Sequence, residues 1–283
     1  MLHITRSLRL PALILVGALV ATGCLRRGLP SPPPARVVVL IEENHSYSQI
    51  RGSSQAPWLN ALANSGTTMT QSYAIGHPSE PNYLELFSGR TQGVSGDPCP
   101  APGSPFTTPN LSTALGTVGR TFAGYSEGLA FTGSLRCSNG GYARKHNPWS
   151  YFTRVPANRN RPMSLFPTHT FAALPTVSFV VPTLNNDMHD GSIATADAWA
   201  KAHLSGYVAW ARTHHSLLIV TFDEDDGSQG NRIFTIFVGP MVKKGVSAQH
   251  ITHYDLLRTI ESLYGAHPVG NSLTAHPVLG IWK

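Results

Sequence analysis

The stretch HPSEPNY, residues 77–83, sets an imidazole, a hydroxyl, a carboxylate and an amide between two prolines. Pro78 and Pro81 restrict the backbone on either side of Ser79. The run that follows, NYLELFSG, reads as a helix stopped by Gly89. Ser79 therefore stands where backbone N–H groups and a helix N-terminus attract an anion. Two readings stay open. Ser79 is either an N-cap for that helix, or a hydroxyl displayed for nucleophilic attack and activated by a nearby cation. In the second reading Asn82 is placed to donate to a developing phosphoryl oxygen.

Three apolar runs end in oxygen-bearing side chains. VVVLI leads into Glu42, Glu43 and Asn44; VSFVVP into Asn185, Asn186, Asp187 and His189; LLIVTF into Asp223, Glu224, Asp225 and Asp226. Carboxylates and amide oxygens are hard ligands, suited to Mg²⁺, Ca²⁺ or Mn²⁺, and converging carboxylates without a cation raise one another's pKa. DEDDG is not an EF-hand loop, because with Gly227 at the sixth position Phe222 would fill the first. Taken alone it reads first as a solvated turn; the second oxygen cluster, at the end of another apolar run, weighs against that reading. Among the histidines, His189, His77 and His253 are the candidates for protonating a leaving oxygen. In YARKH (142–146), Arg144 and Lys145 form either a solvated basic turn or a clamp for phosphate oxygens.

The elements that must position these groups alternate in type. VVVLIEEN, TTMTQSYAI, RTFAGYSEG, PTVSFVVPT, SLLIVTF and RIFTIFVGP read as strands. APWLNALANSG, NYLELFSG, residues 193–215 and YDLLRTIESLYG read as helices. Residues 91–120 read as a long loop, and 131–170 as irregular. This order predicts an α/β fold with a mostly parallel central sheet flanked by helices. In such sheets ligands bind beyond the carboxyl ends of the strands, where the oxygen clusters fall.

Composition narrows the class. Charged residues are only 13% of the chain, the net charge is +6, and there are 13 histidines. A basic surface favours anionic partners, but no Lys/Arg run suggests a nucleic-acid module. Arg6 and Arg9 precede a short apolar run ending at Cys24, as in an export signal. ATGC resembles a bacterial lipobox, with Ala21 where leucine is usual, so Cys24 is the candidate lipidation site. The expected division is 1–24 signal peptide, 25–35 Pro-rich spacer and 36–283 catalytic domain. In an exported protein Cys99 and Cys137 are expected to pair.

IEENHSYSQI, HPSEPNYLELFSG, VSFVVPTLNNDMHDGSI, LLIVTFDEDDG and HYDLLRTIESLYG together resemble the bacterial phosphoesterase family of phospholipases C and secreted acid phosphatases. The resemblance is strongest to the secreted acid phosphatases and covers most of residues 36–283. It implies an alkaline-phosphatase-like core and one divalent metal ion held by Glu43, Asn44, Asp223 and Glu224. It also places Ser79 on the nucleophile and Asn82 on the phosphate-contacting amide. Glu224 stands where relatives commonly carry Asp. The expected protein is therefore an exported, monomeric acid phosphatase acting on phosphate monoesters, phosphoinositides among them, tethered to a membrane or secreted. The alternatives are a phospholipase C-type phosphodiesterase and a non-catalytic anion-binding surface lipoprotein.

Overall fold

The structure, a computed structural model, describes residues 28–283. Strand β1 (Val37–Glu42) is buried at every position, as an unbroken apolar run requires of a strand covered on both faces. It lies inside an eight-stranded sheet between β7 (Val177–Val181) and β8 (Leu217–Phe222), parallel to both. Beyond β7 come β3 (Phe122–Ser126) and the short β6 (Asn160–Pro162), also parallel. Beyond β8 comes β9 (Thr235–Val238), antiparallel to both β8 and β2 (Thr67–Tyr73). The edge strand β10 (Gly245–Thr252) runs parallel to β2. A separate small hairpin joins β4 (Ser138–Asn139) to β5 (Tyr142–Ala143).

Helices cover both faces: α1 (Tyr47–Ile50), α2 (Pro57–Ser65), α3 (Ser79–Ser88), α4 (Leu111–Thr117), α5 (Ile193–Ala211) and α6 (His253–Tyr264). The period-2 alternation of a strand divides the core in two. Val37, Val39 and Ile41 pack with Leu84 and Phe87 of α3, Leu115 of α4, and Leu256 and Ile260 of α6. Val38 and Leu40 pack with Leu59 of α2 and with Leu204 and Val208 of α5. Leu217 and Ile219 of β8 share the α3 side. Carried past the strand ends, the odd positions are Glu43 and Asp223. The register Glu42↔Phe222 makes those two neighbours.

The expected α/β architecture is present, and the sheet is parallel except at β9. The β8–β9 connection holds the acidic cluster and no helix, so the chain returns antiparallel instead of crossing over. Two elements differ from the sequence reading. Residues 111–117, expected in a loop, form α4, capped by the Asn110 side chain accepting from Thr113 N–H. Residues 245–252, left unassigned, form β10. It is an edge strand exposed along much of its length and so carries no apolar alternation.

The segment expected to be a spacer is also different where it is described. Leu29 packs against the core, and Pro30 and Pro34 are buried. The Tyr264 hydroxyl donates to Pro34 O at 3.0 Å, and His215 Nε2 lies 2.8 Å from Pro32 O. A proline-rich chain makes no internal hydrogen bonds, so its carbonyls are free for such contacts. The folded body thus begins before Arg36. The expected export signal and Cys24 lie outside the described residues, among which no helix is long and apolar enough to cross a membrane.

Two features bring residues 97–151 over the site. Cys99 and Cys137 form the expected disulfide. At Gly124 in β3 a Cβ would stand 1.9 Å from Trp149 Cε2, so only glycine lets the indole lie across that strand.

Candidate active site

Strand parity assembles the first part. Glu43, Asp223 and Ser79 are all buried at the carboxyl end of the sheet, on its α3 side. Helix α3 begins at Ser79 itself, with Pro78 as N-cap and no capping hydrogen bond from a side chain. The Ser79 hydroxyl is thus not used as a cap. It donates to Glu43 Oε2 at 3.1 Å and lies 3.5 Å from Glu224 Oε1. Asn44 has φ 56°, a left-handed conformation that asparagine tolerates better than most residues. Its backbone N–H donates to Asp223 Oδ1 at 3.2 Å, as does the N–H of Glu224 at 2.6 Å.

The second part was not assembled from the sequence. His146, in the 3₁₀ turn Arg144–His146, is buried, with its ring stacked on Tyr83 of α3 at 4.9 Å. His146 Nε2 lies 3.0 Å from Glu43 Oε1, and its Nδ1 lies 3.4 Å from Asp187 Oδ2. Asp187 is buried beside β1, where its carbonyl accepts from Glu43 N–H at 2.8 Å. Glu43, His146 and Asp187 each offer a ligand atom, all within 4.8 Å of one another. Glu43 Oε1, His146 Nε2, Asp187 Oδ2 and Asp223 Oδ2 are buried without a hydrogen bond. Buried polar atoms are nearly always paired. Unpaired lone pairs on several side chains around one carboxylate fit a cation-binding centre.

The electrostatics agree. Burial, then Asp223 and Asp187, push the Glu43 carboxyl well up; burial and Glu224 do the same to Asp223. Burial raises Asp187 to about 7. Burial, Lys145 and His189 hold His146 well below the usual imidazole range, neutral and able to ligate. A cation reverses the logic for the carboxyls by favouring their ionised form.

At the rim, Lys145 Nζ donates to Asp97 Oδ2 at 2.8 Å and lies 3.3 Å from His189 Nε2. Burial works against the Lys145 charge, but Asp97, Glu43 and Asp223 outweigh it and raise its pKa. Asp97 Oδ1 also accepts from the N–H of Glu80 in the first turn of α3. An ammonium and a helix N-terminus thus already hold one anionic group. His189 Nδ1 lies 2.8 Å from Asp190 Oδ1.

Other expected residues have different work. Asn82, expected on a phosphate oxygen, accepts from the N–H groups of Ile75 and Gly76 and donates to Gly76 O and Glu224 Oε2. It fixes the loop before Ser79 and orients Glu224. His77 contacts Glu224 Oε2 at 3.1 Å and Asp225 Oδ1 at 3.4 Å. Arg144 is not a clamp. Its guanidinium is buried over the Tyr151 ring and donates to Leu135 O, Ser150 O and Ser150 Oγ. His253 is not at the rim either: α6 begins beneath β8, where His253 Nε2 meets Phe222 O at 3.0 Å and burial lowers its pKa to about 4.

The sequence comparisons agree on phosphate-ester hydrolases as relatives. Residues 52–267 match the phosphoesterase family. A phosphatidylinositol-3-phosphatase of Mycobacterium tuberculosis is 47% identical over 268 residues, covering 94% of this chain and 88% of its own length. A phosphate-repressible acid phosphatase of Penicillium chrysogenum is 31% identical over 75% of this chain, which spans only 55% of that protein. A Vibrio parahaemolyticus protein of the alkaline phosphatase superfamily superposes with a TM-score of 0.59 at 15% identity, covering 91% of this chain and 78% of that one. That likeness concerns the fold.

Proposed function

The chain belongs to the phosphoesterase family, and from that premise we propose that it hydrolyses phosphate monoesters with Ser79 as nucleophile beside a divalent cation. The observation that carries this reading is the Ser79 hydroxyl, buried at a helix start and 3.1 Å from Glu43 Oε2, at the edge of the unpaired ligand cluster. The relatives that act on phosphate monoesters support the reaction type. The mycobacterial relative supports a phosphoinositide head group as one substrate. The export signal and the disulfide support action outside the cytoplasm.

The residues divide the work as follows. Lys145 and the α3 N-terminus bind the phosphate oxygens, through the donors that Asp97 engages here. Ser79 attacks phosphorus, and its proton leaves along the contact to Glu43 or Glu224. His189 gives a proton to the leaving oxygen and recovers one from the water that cleaves the phosphoserine. Asn82, Asn44 and Arg144 are positioning residues. Glu43, Asp187 and His146, with Asp223 adjoining, would hold the cation, which would supply Lewis-acid stabilisation of phosphoryl charge. Carboxylates with one imidazole suit Mn²⁺ or Zn²⁺ as well as Mg²⁺.

Ser79→Ala tests the assignment. Turnover of p-nitrophenyl phosphate at pH 5–7 should fall by about 10³-fold or more. The fold should survive, since the hydroxyl caps nothing and one hydrogen bond is worth about 1 kcal/mol. Full activity in the variant would sink the nucleophile assignment.

A further inference from the structure

We propose that the turn at residues 129–137 is a membrane-docking wedge that seats the catalytic face on an anionic lipid bilayer. This rests on the reading that a phosphoinositide is a substrate. Ten of the eleven phenylalanines are buried, whereas Phe131 is 56% exposed, and Leu135 in the same turn is 57% exposed. Single exposed apolar residues are ordinary. Two on one rigid turn call for a reason.

The turn is pinned on its inner side. Leu129 and Ser134 are buried. Ser134 N–H donates to Phe131 O, Gly133 N–H to Asn160 O, Asn160 Nδ2 to Ser134 O and Arg144 Nη1 to Leu135 O. Such anchoring keeps the apolar pair from folding inward. It also ties the turn to the site: Arg144 adjoins Lys145 and His146, and Cys137 is joined to Cys99, two residues from Asp97. The turn follows the carboxyl end of β3, the edge of the sheet that carries Glu43 and Asp223.

Charge selects the partner. No Asp or Glu occurs between Glu127 and Asp187, while, besides the buried Arg144 and the Lys145 of the site, that span holds Arg136, Arg154, Arg159 and Arg161. Arg136 is exposed with its guanidinium 6.0 Å from the Phe131 ring centroid. Arg159 follows Ala157, which packs against Gly133. An aromatic and a leucine flanked by arginines and free of carboxylates match the interface of an anionic bilayer.

The experiment compares wild type with Phe131→Ser/Leu135→Ser in co-sedimentation with vesicles of equal parts phosphatidylcholine and phosphatidylserine, and in hydrolysis of long-chain phosphatidylinositol 3-phosphate carried in them. Vesicle binding and vesicle hydrolysis should both fall by about tenfold or more. Turnover of p-nitrophenyl phosphate and of soluble dibutanoyl phosphatidylinositol 3-phosphate should not change. Undiminished vesicle binding, or an equal loss on soluble substrate, would overturn the proposal. If wild type binds vesicles through the turn yet cleaves neither phosphoinositide, docking stands and the substrate reading fails.

Discussion

Replacing Asp187 by asparagine should stabilise the metal-free protein while weakening its response to metal and its turnover. Asp187 is fully buried, its Oδ2 has no hydrogen bond, and its carboxyl is raised from 3.8 to about 7. A carboxyl with a raised folded-state pKa contributes stability that is complete below its unfolded value and is lost as pH rises through the folded value. At 1.36 kcal/mol per unit, ionising Asp187 at pH 7.5 costs the metal-free fold up to about 4 kcal/mol. The amide that replaces this carboxyl cannot ionise, so after chelation Asp187→Asn should melt higher than wild type at pH 7.5, by about 5–10 °C for a chain of this size. The advantage should shrink to less than half by pH 5 and to about a tenth near pH 4. With Mn²⁺ at a hundredfold excess over its dissociation constant, wild type should gain about 2.7 kcal/mol. The variant, having lost an anionic ligand, should gain much less, and its turnover should fall at least about tenfold. The assay is thermal unfolding monitored with and without chelator across pH 4–8, paired with p-nitrophenyl phosphate kinetics. A variant that is no more stable without metal and as responsive to Mn²⁺ as wild type would refute the assignment of Asp187 to the cluster.

Three further outcomes concern other parts of the structure. Arg144→Ala should destabilise the fold by about 2–4 kcal/mol, because Leu135 O and Ser150 O lose their donor, with little change in KM. Lys145→Ala should instead raise KM for anionic substrates with little loss of stability; the reverse pattern in chemical denaturation and steady-state kinetics would restore the clamp role to Arg144. Glu261 is buried, accepts from Val269 N–H and Ser272 Oγ, and is raised to about 8 by burial. Its contribution to stability therefore falls as pH rises from about 5 towards 8, and Glu261→Gln should flatten that slope by up to about 1.4 kcal/mol per unit. An unchanged slope in pH-dependent denaturation would show that Glu261 titrates elsewhere.

Legibility in the sequence followed the period of the backbone. Glu43 and Asp223 are legible because each lies just past an apolar run, and such a run of about five or six implies a buried strand with a polar end. Ser79 was visible because prolines and a helix pattern framed it. His146 is not legible in the sequence, although YARKH sets it beside Arg144 and Lys145. It lies in a 3₁₀ turn with no periodic neighbours, and nothing local marks it as buried. The same turn reversed the weight of its members: Arg144 points inward to backbone carbonyls, Lys145 to the rim and His146 to the Glu43 carboxylate. The position of Asn82 beside Ser79 is legible, but its partner is not, because its amide in the first turn of α3 reaches Glu224, 142 residues away.

The sequence by itself determined the α/β class, the disulfide partners, and the strand ends that carry Glu43 and Asp223. These depend on local periodicity and on the burial that apolar runs demand. Only the tertiary structure decided which of several neighbouring polar side chains meet. Parity sends Glu43 to Ser79 and Glu42 to the opposite face. The folding of residues 97–151, held by Cys99–Cys137 and by Trp149 lying on Gly124, delivers His146, Lys145 and Asp97. Those contacts join residues far apart in the chain, whose geometry is set by packing and not by any repeat that the chain itself displays.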